Sequence, residues 1–346
     1  MSDNKFLKWL SGETKSVYWH DSAIRAEQLD GFANGAVSMT TNPFLINSTL
    51  RNDTAFWKER LSTLPRGLKG DEKVQALIRC VTGFYSEQTM PIFEKGMTGC
   101  GYVCAQTNPS KTGDADYMIN QAKELASWAP NIVVKLPATR AGIIAYEECV
   151  ALGFNVAATV SFTVPQVLAV GEAYERGAAR AKANGVKPGL GLAVVMVGRL
   201  DDYLRDVAHD SCPEVTEEAI RQAGTACIKR AYSIFNERGY SALLMPAGCR
   251  NAAHIADLAG ANMHMSIAPK IAKLLMDVNF LEERIDIPVD SAVIDQLIKM
   301  PEFRKAYEPD GMKLEEFITF GSANRTTAQF IECGWNPLAA FDYENL

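Results

Sequence analysis

The sequence predicts an α/β protein with the fold of a (β/α)8 TIM barrel and additional helices, and three observations carry this prediction. Eight short apolar runs alternate with helical patterns along the 346 residues. No linker rich in Pro, Gly or Ser divides the chain into halves. Polar residues recur where the predicted strands end. Alternating strands and helices are typical of a parallel sheet, and eight such units predict that the sheet closes into a barrel.

The first four predicted strands are short and several end at turn-forming residues. Asn42 and Pro43 follow the second strand, and Asn108 and Pro109 follow the third; such pairs favour turns. The four strands are expected at 16–20, 36–40, 101–106 and 132–137, with helices at about 21–32, 53–66, 72–97 and 114–128. The two long helices between the second and third strands predict a helical insertion at about 53–98.

The second half of the chain continues the same alternation. Its strands are expected at 154–160, 190–197, 241–245 and 262–266, with helices at about 140–152, 165–184, 202–208 and 214–238, one that ends near 258 and one that begins near 269. The tail adds helical patterns at about 290–299 and 313–333. We therefore expect a single barrel domain over residues 1–346, with C-terminal helices at about 285–346.

The composition excludes several function classes. Hydrophobic residues make up 47% and charged residues 22% of the chain, and the net charge is −6 without a basic block, so nucleic acid is not an expected partner. No stretch approaches the roughly 20 apolar residues of a membrane span, and the N-terminus lacks a signal-peptide pattern. The eight cysteines are scattered without zinc-ligand spacing. We expect a cytoplasmic protein with reduced cysteines, no metal and no membrane partner.

Lys135 lies in the middle of the fourth predicted strand. Five of the six residues at 132–137 are apolar, which is typical of a strand buried on both faces of a parallel sheet. Burial disfavours a charged ammonium group, and a neutral amine in a dry pocket is what Schiff-base chemistry on a ketone or aldehyde needs. The alternative is a lysine that reaches solvent or pairs with a carboxylate. The local sequence leaves both open.

Polar residues mark the ends of several other predicted strands. Asp21, Asn42, Gln106, Thr159 and Arg199 each stand at or near such an end. The active sites of (β/α)8 barrels lie at the carboxyl ends of the strands, so these side chains are expected around one mouth with the lysine. The alternatives are a turn or helix cap for the aspartate and asparagine, and a surface salt bridge for an arginine.

Five motifs in five different βα units resemble those of the transaldolase family of Schiff-base aldolases. They occur in the family's order across roughly residues 16–280. The motifs are Thr-Thr-Asn-Pro at 40–43, Val-Lys-Leu-Pro-Ala-Thr at 134–139, Val-Gly-Arg at 197–199, Cys-Arg-Asn at 249–251 and Ser-Ile-Ala-Pro at 266–269. Each motif alone is weak, but their combination favours the Schiff-base interpretation of the lysine. The resemblance also implies a (β/α)8 barrel.

The resemblance implies catalytic roles for three residues at the mouth. Lys135 matches the lysine that forms an imine with a ketose donor. Asp21 matches the aspartate that transfers protons near the amine, and a carboxylate there can also stabilise the iminium ion. Thr159 matches the threonine that positions the catalytic water. No cofactor is implied, because the imine itself supplies the electron sink.

The same resemblance implies substrate-binding roles for four more residues. Asn42, preceded by Thr41, matches the asparagine that binds the donor. Arg199 and Arg250 match two arginines that hold the substrate phosphate, a task that suits the planar, forked guanidinium group. Small-molecule sugar phosphates are thus the implied partners. Family members are commonly oligomeric, so a homo-oligomer is expected.

Four positions depart from the family pattern. Gln106 stands where typical transaldolases have a glutamate, and the fructose-6-phosphate aldolase branch also has a glutamine there. A glutamine cannot accept a proton, but it can still orient the catalytic water together with Thr159. That branch also uses a tyrosine from the sixth strand, and the matching residue here is Met196, which is expected in the substrate site but cannot serve as an acid. An asparagine and a serine that contact the donor are replaced by Ala157 and Val194. The expected pocket is therefore more apolar on its donor side.

The expected function is that of a transaldolase-type transferase that moves a dihydroxyacetone-like unit between sugar phosphates through an imine on Lys135. A lyase similar to fructose-6-phosphate aldolase, which releases free dihydroxyacetone, is the first alternative, favoured by Gln106. A catalytically silent barrel that binds sugar phosphates is the second. The loss of polar side chains at 106, 157, 194 and 196 motivates it.

Overall fold

A computed structural model describes residues 3–346, and its centre is a parallel sheet of eight strands. The strands are β1 Val17–His20, β2 Ser38–Met39, β3 Val103–Gln106, β4 Ile132–Pro137, β5 Asn155–Thr159, β6 Gly191–Val195, β7 Leu243–Pro246 and β8 His264–Ile267. Hydrogen bonds link them in the order β7-β6-β5-β4-β3-β2-β1-β8, and β7 lies beside β8. The sheet is a nearly closed barrel, which confirms the predicted (β/α)8 fold.

Helices surround the barrel and cover its outer face. They are α1 Lys5–Glu13, α2 Arg25–Ala33, α3 Pro43–Asn52, α4 Thr54–Ser62, α5 Gly70–Phe93, α6 Ala115–Ala126, α7 Arg140–Ala151, α8 Val164–Ala183, α9 Val197–Ser211, α10 Glu217–Ile220, α11 Ala223–Arg238, α12 Ala253–Ala256, α13 Pro269–Leu275, α14 Ser291–Leu297, α15 Pro301–Tyr307, α16 Gly321–Phe330 and α17 Asn336–Ala339. Short 3-10 helices cover Pro109–Lys111 and Leu314–Thr319, and a π-helical turn covers Ile331–Trp335. Within residues 3–346, no helix is long and apolar enough to cross a membrane.

Strand β4 is buried along its whole length, as its apolar sequence predicts. All six of its residues are buried. In the parallel ladders, Lys135 lies opposite Gln106 of β3 and Ala157 of β5. Lysine, glutamine and alanine therefore stand at the same level of three neighbouring strands.

The helix that follows β4 begins at a well-defined point. Thr139 is its N-cap, and the Thr139 side chain accepts a hydrogen bond from the Gly142 amide at 3.0 Å. A Cβ atom on Gly142 would lie 1.8 Å from the Pro137 carbonyl oxygen. Only glycine fits there, so α7 lies directly against the end of the strand that carries Lys135.

Several predicted boundaries were wrong. Strand β6 ends at Val195, and helix α9 begins at Val197, so Arg199 lies in the first turn of a helix rather than in the loop expected there. The helix predicted at 214–238 is divided into α10 and α11, and the last predicted helix contains 3-10, α and π turns. Helices α1, α3, α15 and α17 were not predicted. These helices are short, so each offers few repeats of the helical period.

The insertion and the C-terminal tail pack against each other. In α4, Trp57 is fully buried, and its ring meets that of Tyr85 of α5 with centroids 6.0 Å apart. The Tyr343 hydroxyl in the tail donates to the Pro65 carbonyl in the loop between these helices. The indole N–H of Trp335 donates to Asp71 at 3.2 Å. Both segments predicted from the sequence thus form one layer beside the barrel.

Candidate active site

Lys135 is buried near the carboxyl ends of the strands, where its amine has a backbone partner. The residue is 8% exposed, and its Nζ atom donates to the Thr41 carbonyl at 3.4 Å. Among residues 3–346, no carboxylate oxygen lies within salt-bridge distance of this amine. Neither the solvent-exposed nor the ion-paired alternative is therefore seen. A buried amine without a carboxylate partner is the arrangement that the Schiff-base interpretation requires.

Asp21 follows β1 and belongs to a chain of hydrogen bonds across three strand ends. The Thr40 hydroxyl donates to Asp21 Oδ1 at 2.7 Å. Because its only proton is used there, it accepts a hydrogen bond from the Ser266 hydroxyl, also at 2.7 Å. One carboxylate oxygen is thereby oriented. The sequence motifs contained Thr40 and Ser266, but their spacing did not show that they would support Asp21.

Cys104 of β3 lies close enough to Lys135 and Asp21 for the charges of both to act on its thiol. Burial raises the pKa of the Cys104 thiol to about 11, the charge of Lys135 opposes this rise and the charge of Asp21 adds to it. The Thr41 hydroxyl donates to the Cys104 carbonyl at 2.6 Å. The thiol is therefore protonated at neutral pH and is not a candidate nucleophile.

Gln106 and Thr159 stand at the ends of the strands on either side of Lys135. Gln106 is 4% exposed, and its Oε1 atom has no hydrogen-bond partner among the described residues. Thr159 is also buried, and the next residue, Val160, has a φ of 54°. A β-branched residue in this left-handed region is strained, and such strain is often found at functional sites. The backbone therefore bends sharply just after Thr159.

The apolar residues expected on the donor side lie on β5, on β6 and directly after β6. Ala157, Val194 and Met196 are all buried. Asn42, on the other side, is the N-cap of α3, and its side-chain oxygen accepts a hydrogen bond from the Leu45 amide at 3.0 Å. The helix-cap alternative for Asn42 is thus realised. Capping occupies the oxygen of the side chain and leaves its NH2 group as a donor.

Arg199 is partly buried and has no carboxylate partner among residues 3–346. Its Nη1 atom donates to Gln329 Oε1 at 2.5 Å, and its guanidinium carbon lies 5.6 Å from the ring centre of Phe330. Its Nε atom is buried and has no hydrogen-bond partner in the described chain. Burial and the charge of Arg250 lower the pKa of Arg199 to about 10, although the Asp202 and Asp21 carboxylates oppose this effect. A positively charged group with an unused N–H donor can bind an anion.

Arg250 differs from Arg199 because it is paired and exposed. Its Nε atom donates to Asp202 at 2.7 Å, its Nη1 atom donates to the Gly248 carbonyl at 2.9 Å, and the side chain is 42% exposed. The salt-bridge alternative is therefore seen for Arg250 and not for Arg199. The two guanidinium groups are close enough for the charge of one to act on the other.

A buried histidine and aspartate fix the loop that carries Arg250, and sequence reasoning missed both. The Arg250 amide donates to His254 Nδ1 at 3.1 Å, and His254 Nε2 donates to Asp201 at 2.8 Å. Asp201 also accepts a hydrogen bond from the Gly224 amide at 2.8 Å. The residues are far apart along the chain, so no local spacing could reveal the contact. In residues 3–346, no cluster of three potential metal ligands is found.

The fold and this arrangement define a (β/α)8 barrel with a buried lysine on its fourth strand, a carboxylate after the first and an arginine pair after the sixth and seventh. A family model described as Transaldolase/Fructose-6-phosphate aldolase matches residues 18–317. The chain belongs to this family, which confirms the resemblance seen in the motifs.

The sequence identity to individual relatives is low. The chain is 26% identical to Transaldolase 1 of Streptomyces avermitilis over 242 residues, which is 67% of this chain and 64% of the relative. It is 29% identical to Transaldolase of Mycolicibacterium smegmatis over 253 residues, 68% and 66% of the two chains. It is 31% identical to Probable transaldolase 2 of Listeria monocytogenes over 156 residues, 45% and 57% of the two chains. The chain thus spans less than two thirds of the length of these relatives.

Proposed function

We propose that the protein is a transaldolase-type transferase that moves a dihydroxyacetone-like unit between sugar phosphates. The observation that carries the proposal is the buried amine of Lys135, which has no carboxylate partner among the described residues and lies at the level of Gln106. Membership of the family and the printed names of the relatives support the same activity. No cofactor is needed, and we expect a cytoplasmic homo-oligomer.

In the first half of the proposed reaction, Lys135 forms a covalent bond with the donor. Its Nζ atom attacks the ketone carbon of a ketose phosphate, and loss of water gives an iminium ion. Asp21 then accepts the proton of the hydroxyl group next to the bond to be broken. That C–C bond breaks, its electron pair moves towards the iminium nitrogen, and an aldehyde phosphate leaves. The product on the lysine is an enamine.

In the second half, the enamine carbon attacks the aldehyde of an acceptor sugar phosphate. Asp21 returns its proton to the oxygen that becomes a hydroxyl group, and water hydrolyses the new iminium ion to free the lysine. Thr159 and Gln106 flank Lys135 at the ends of neighbouring strands, which suits them to hold this water. The oriented carboxylate of Asp21 suits repeated proton transfer because Thr40 fixes one of its oxygens.

The other predicted residues bind the two ends of the sugar phosphate. Asn42 donates to donor hydroxyl groups through its free NH2, beside the Thr41 carbonyl that holds the lysine. Arg199 and Arg250 bind the phosphate, and Met196 forms an apolar wall at the start of the same helix. Binding energy from the remote phosphate can be used to orient the reacting carbons.

One specific observation favours a second candidate, a lyase of the fructose-6-phosphate aldolase type. The Gln106 amide cannot act as an acid or base in the way that a glutamate would. If the enamine is protonated and hydrolysed faster than it meets an acceptor, free dihydroxyacetone is released. Transferase and lyase therefore share every step up to the enamine and differ only in its fate.

The test follows the fate of the three-carbon unit. The protein is incubated with fructose 6-phosphate, with or without erythrose 4-phosphate as the acceptor, and free dihydroxyacetone and sedoheptulose 7-phosphate are measured. We expect the seven-carbon product only when the acceptor is present, with little free dihydroxyacetone. Rapid release of dihydroxyacetone without acceptor would instead support the lyase.

Two lysine variants make the test specific. Lys135→Met removes the proposed nucleophile and should abolish both products. Lys182→Met changes an exposed lysine on α8 and should behave as the wild type. Full activity of Lys135→Met would refute both enzyme candidates, and inactivity of the wild type with retained sugar-phosphate binding would favour the silent barrel.

A further inference from the structure

Helix α16 at the C-terminal end of the chain reaches the phosphate side of the proposed active site. It covers Gly321–Phe330 and therefore begins after residue 317, where the match to the family model ends. Two consecutive residues at its end, Gln329 and Phe330, contact the guanidinium group of Arg199. A segment outside the matched region thus supplies direct neighbours of the most buried arginine at the mouth.

The first turns of α16 are attached to helix α9, which carries Arg199. The Ser322 hydroxyl donates to the Arg199 carbonyl at 3.3 Å. Arg325 forms an ion pair with Asp206. Just before the helix, the ring of Phe320 meets that of Tyr203, with 5.2 Å between their centroids. These contacts fix the position of α16 relative to Arg199.

The segment after α16 is attached on the opposite side of the mouth. A Cβ atom on Gly334 would lie 2.7 Å from the Phe44 amide nitrogen, so the π-helical turn is in close contact with the start of α3. Trp335 then donates to Asp71 at 3.2 Å. Gln329 therefore lies between two fixed points, and its position does not depend on a mobile tail.

The contacts of Arg199 are those of an anion-binding site in which a neutral side chain, that of Gln329, orients the arginine. In the described residues, Arg199 forms no salt bridge, and its Nε atom is buried without a partner. The Gln329 oxygen takes up one guanidinium hydrogen at 2.5 Å. An amide orients the arginine as a carboxylate would, but it does not neutralise the positive charge, so the attraction for an incoming anion is kept.

We propose that Gln329 is a specificity-determining residue of the phosphate subsite. The inference rests on the proposed function and deepens it. In the free protein the Gln329 oxygen orients Arg199, and when a phosphate binds, the NH2 group of the same amide donates to a phosphate oxygen. The chain thereby favours phosphorylated aldehydes as acceptors over unphosphorylated ones of the same length.

The test compares one pair of acceptors in several variants. Erythrose 4-phosphate and erythrose are used with Gln329→Glu, Gln329→Ala and the wild type. The new carboxylate should pair with Arg199 and repel phosphate, so Gln329→Glu should raise the KM of erythrose 4-phosphate by about tenfold or more, the scale of one charged hydrogen bond. Gln329→Ala should raise it by roughly threefold to fivefold, because it removes one neutral hydrogen bond without adding a charge. The KM of erythrose and kcat should stay within twofold.

Asn324→Asp is the matched control. It adds the same charge to an exposed position of the same helix, on a face turned away from Gln329. It should leave both KM values unchanged, and thermal unfolding of each variant should show that α16 is intact. Equal changes in KM for erythrose and erythrose 4-phosphate in Gln329→Glu would overturn the inference.

A second measurement separates this inference from the proposed function. The affinity for inorganic phosphate is measured by calorimetry in the wild type and in Gln329→Glu, which needs no turnover. Weaker phosphate binding in the variant supports the role of Gln329 even if no imine forms on Lys135. Unchanged phosphate binding contradicts that role even if Lys135 is an active nucleophile.

Discussion

The two sides of the mouth are built in different ways. The lysine side, which consists of Asp21, Thr41, Gln106 and Lys135, stands on β1 to β4 or directly after them. Hydrogen bonds between these strands and the residues that follow them hold Asp21, Thr41 and Lys135. The arginine side consists of Arg199, Arg250 and Gln329. It depends on a helix start, an exposed ion pair and a residue near the end of the chain.

This difference fits a division of the mouth into a side for the covalent reaction and a side for substrate recognition. Groups that form and break covalent bonds need positions fixed to a fraction of an ångström, and a packed barrel frame supplies them. Groups that hold a phosphate act through charge over a longer distance and tolerate looser placement. Changes on the lysine side should therefore lower kcat for every substrate, whereas changes on the arginine side should affect phosphorylated substrates alone.

The largest effect is expected from Asp21→Asn. Asparagine can still accept the hydrogen bond from Thr40, but it cannot take a proton, so kcat should fall by about 10²- to 10⁴-fold. Steady-state kinetics with phosphorylated and unphosphorylated acceptors measure the effect, which should be equal for both. Asp210→Asn, at an exposed position, is the control. A loss below threefold would assign proton transfer to another group.

A smaller and selective effect is expected from Arg199→Ala. Loss of the partly buried guanidinium group removes a charge-assisted contact, so kcat/KM for phosphorylated substrates should fall by about 100-fold. The values for erythrose as the acceptor should change little. If erythrose and erythrose 4-phosphate were affected alike, the division of the mouth into two sides would be wrong.

A weaker effect again is expected from Arg250→Ala. Arg250 is exposed and already paired with Asp202, so its contribution to phosphate binding should be smaller. The loss in kcat/KM should be about tenfold. Raising the salt concentration should reduce this loss more than the loss in Arg199→Ala, because exposed charges are screened more strongly. A larger loss for Arg250→Ala than for Arg199→Ala would contradict the proposed order.

The histidine of β8 predicts a pH dependence of stability rather than of catalysis. Burial lowers the pKa of His264 to about 4, below the 6.5 of an unfolded histidine. The unfolded chain binds the proton first as the pH falls, so the contribution of His264 is complete above pH 6.5 and is lost towards pH 4. Its full size is about 3 kcal/mol.

Urea unfolding at pH 7 and at pH 4.5 measures this contribution. His264→Asn should show a smaller loss of unfolding free energy on acidification than the wild type. His209→Asn, at an exposed position, should show the same loss as the wild type. An unchanged pH dependence in His264→Asn would show that the ring is not buried in its neutral form.

The two sides also differ in how far they could be predicted. The barrel and the positions of Asp21, Gln106 and Lys135 followed from alternation and from polar residues at strand ends, because both signals are local. Arg199 was predicted from its place after a strand and from a motif, although its position in the first turn of α9 was not predicted. Gln329 and His254 were missed because their contacts join residues far apart in the chain.

The central claim is that Lys135 is the residue that forms an imine with the substrate. The most direct test is to incubate the protein with fructose 6-phosphate, reduce the mixture with borohydride and locate the modified residue by peptide mass spectrometry. We predict a single adduct on Lys135, which is absent in Lys135→Met and present in Lys182→Met. An adduct on another lysine, or none with fructose 6-phosphate, sedoheptulose 7-phosphate or dihydroxyacetone, would contradict the claim.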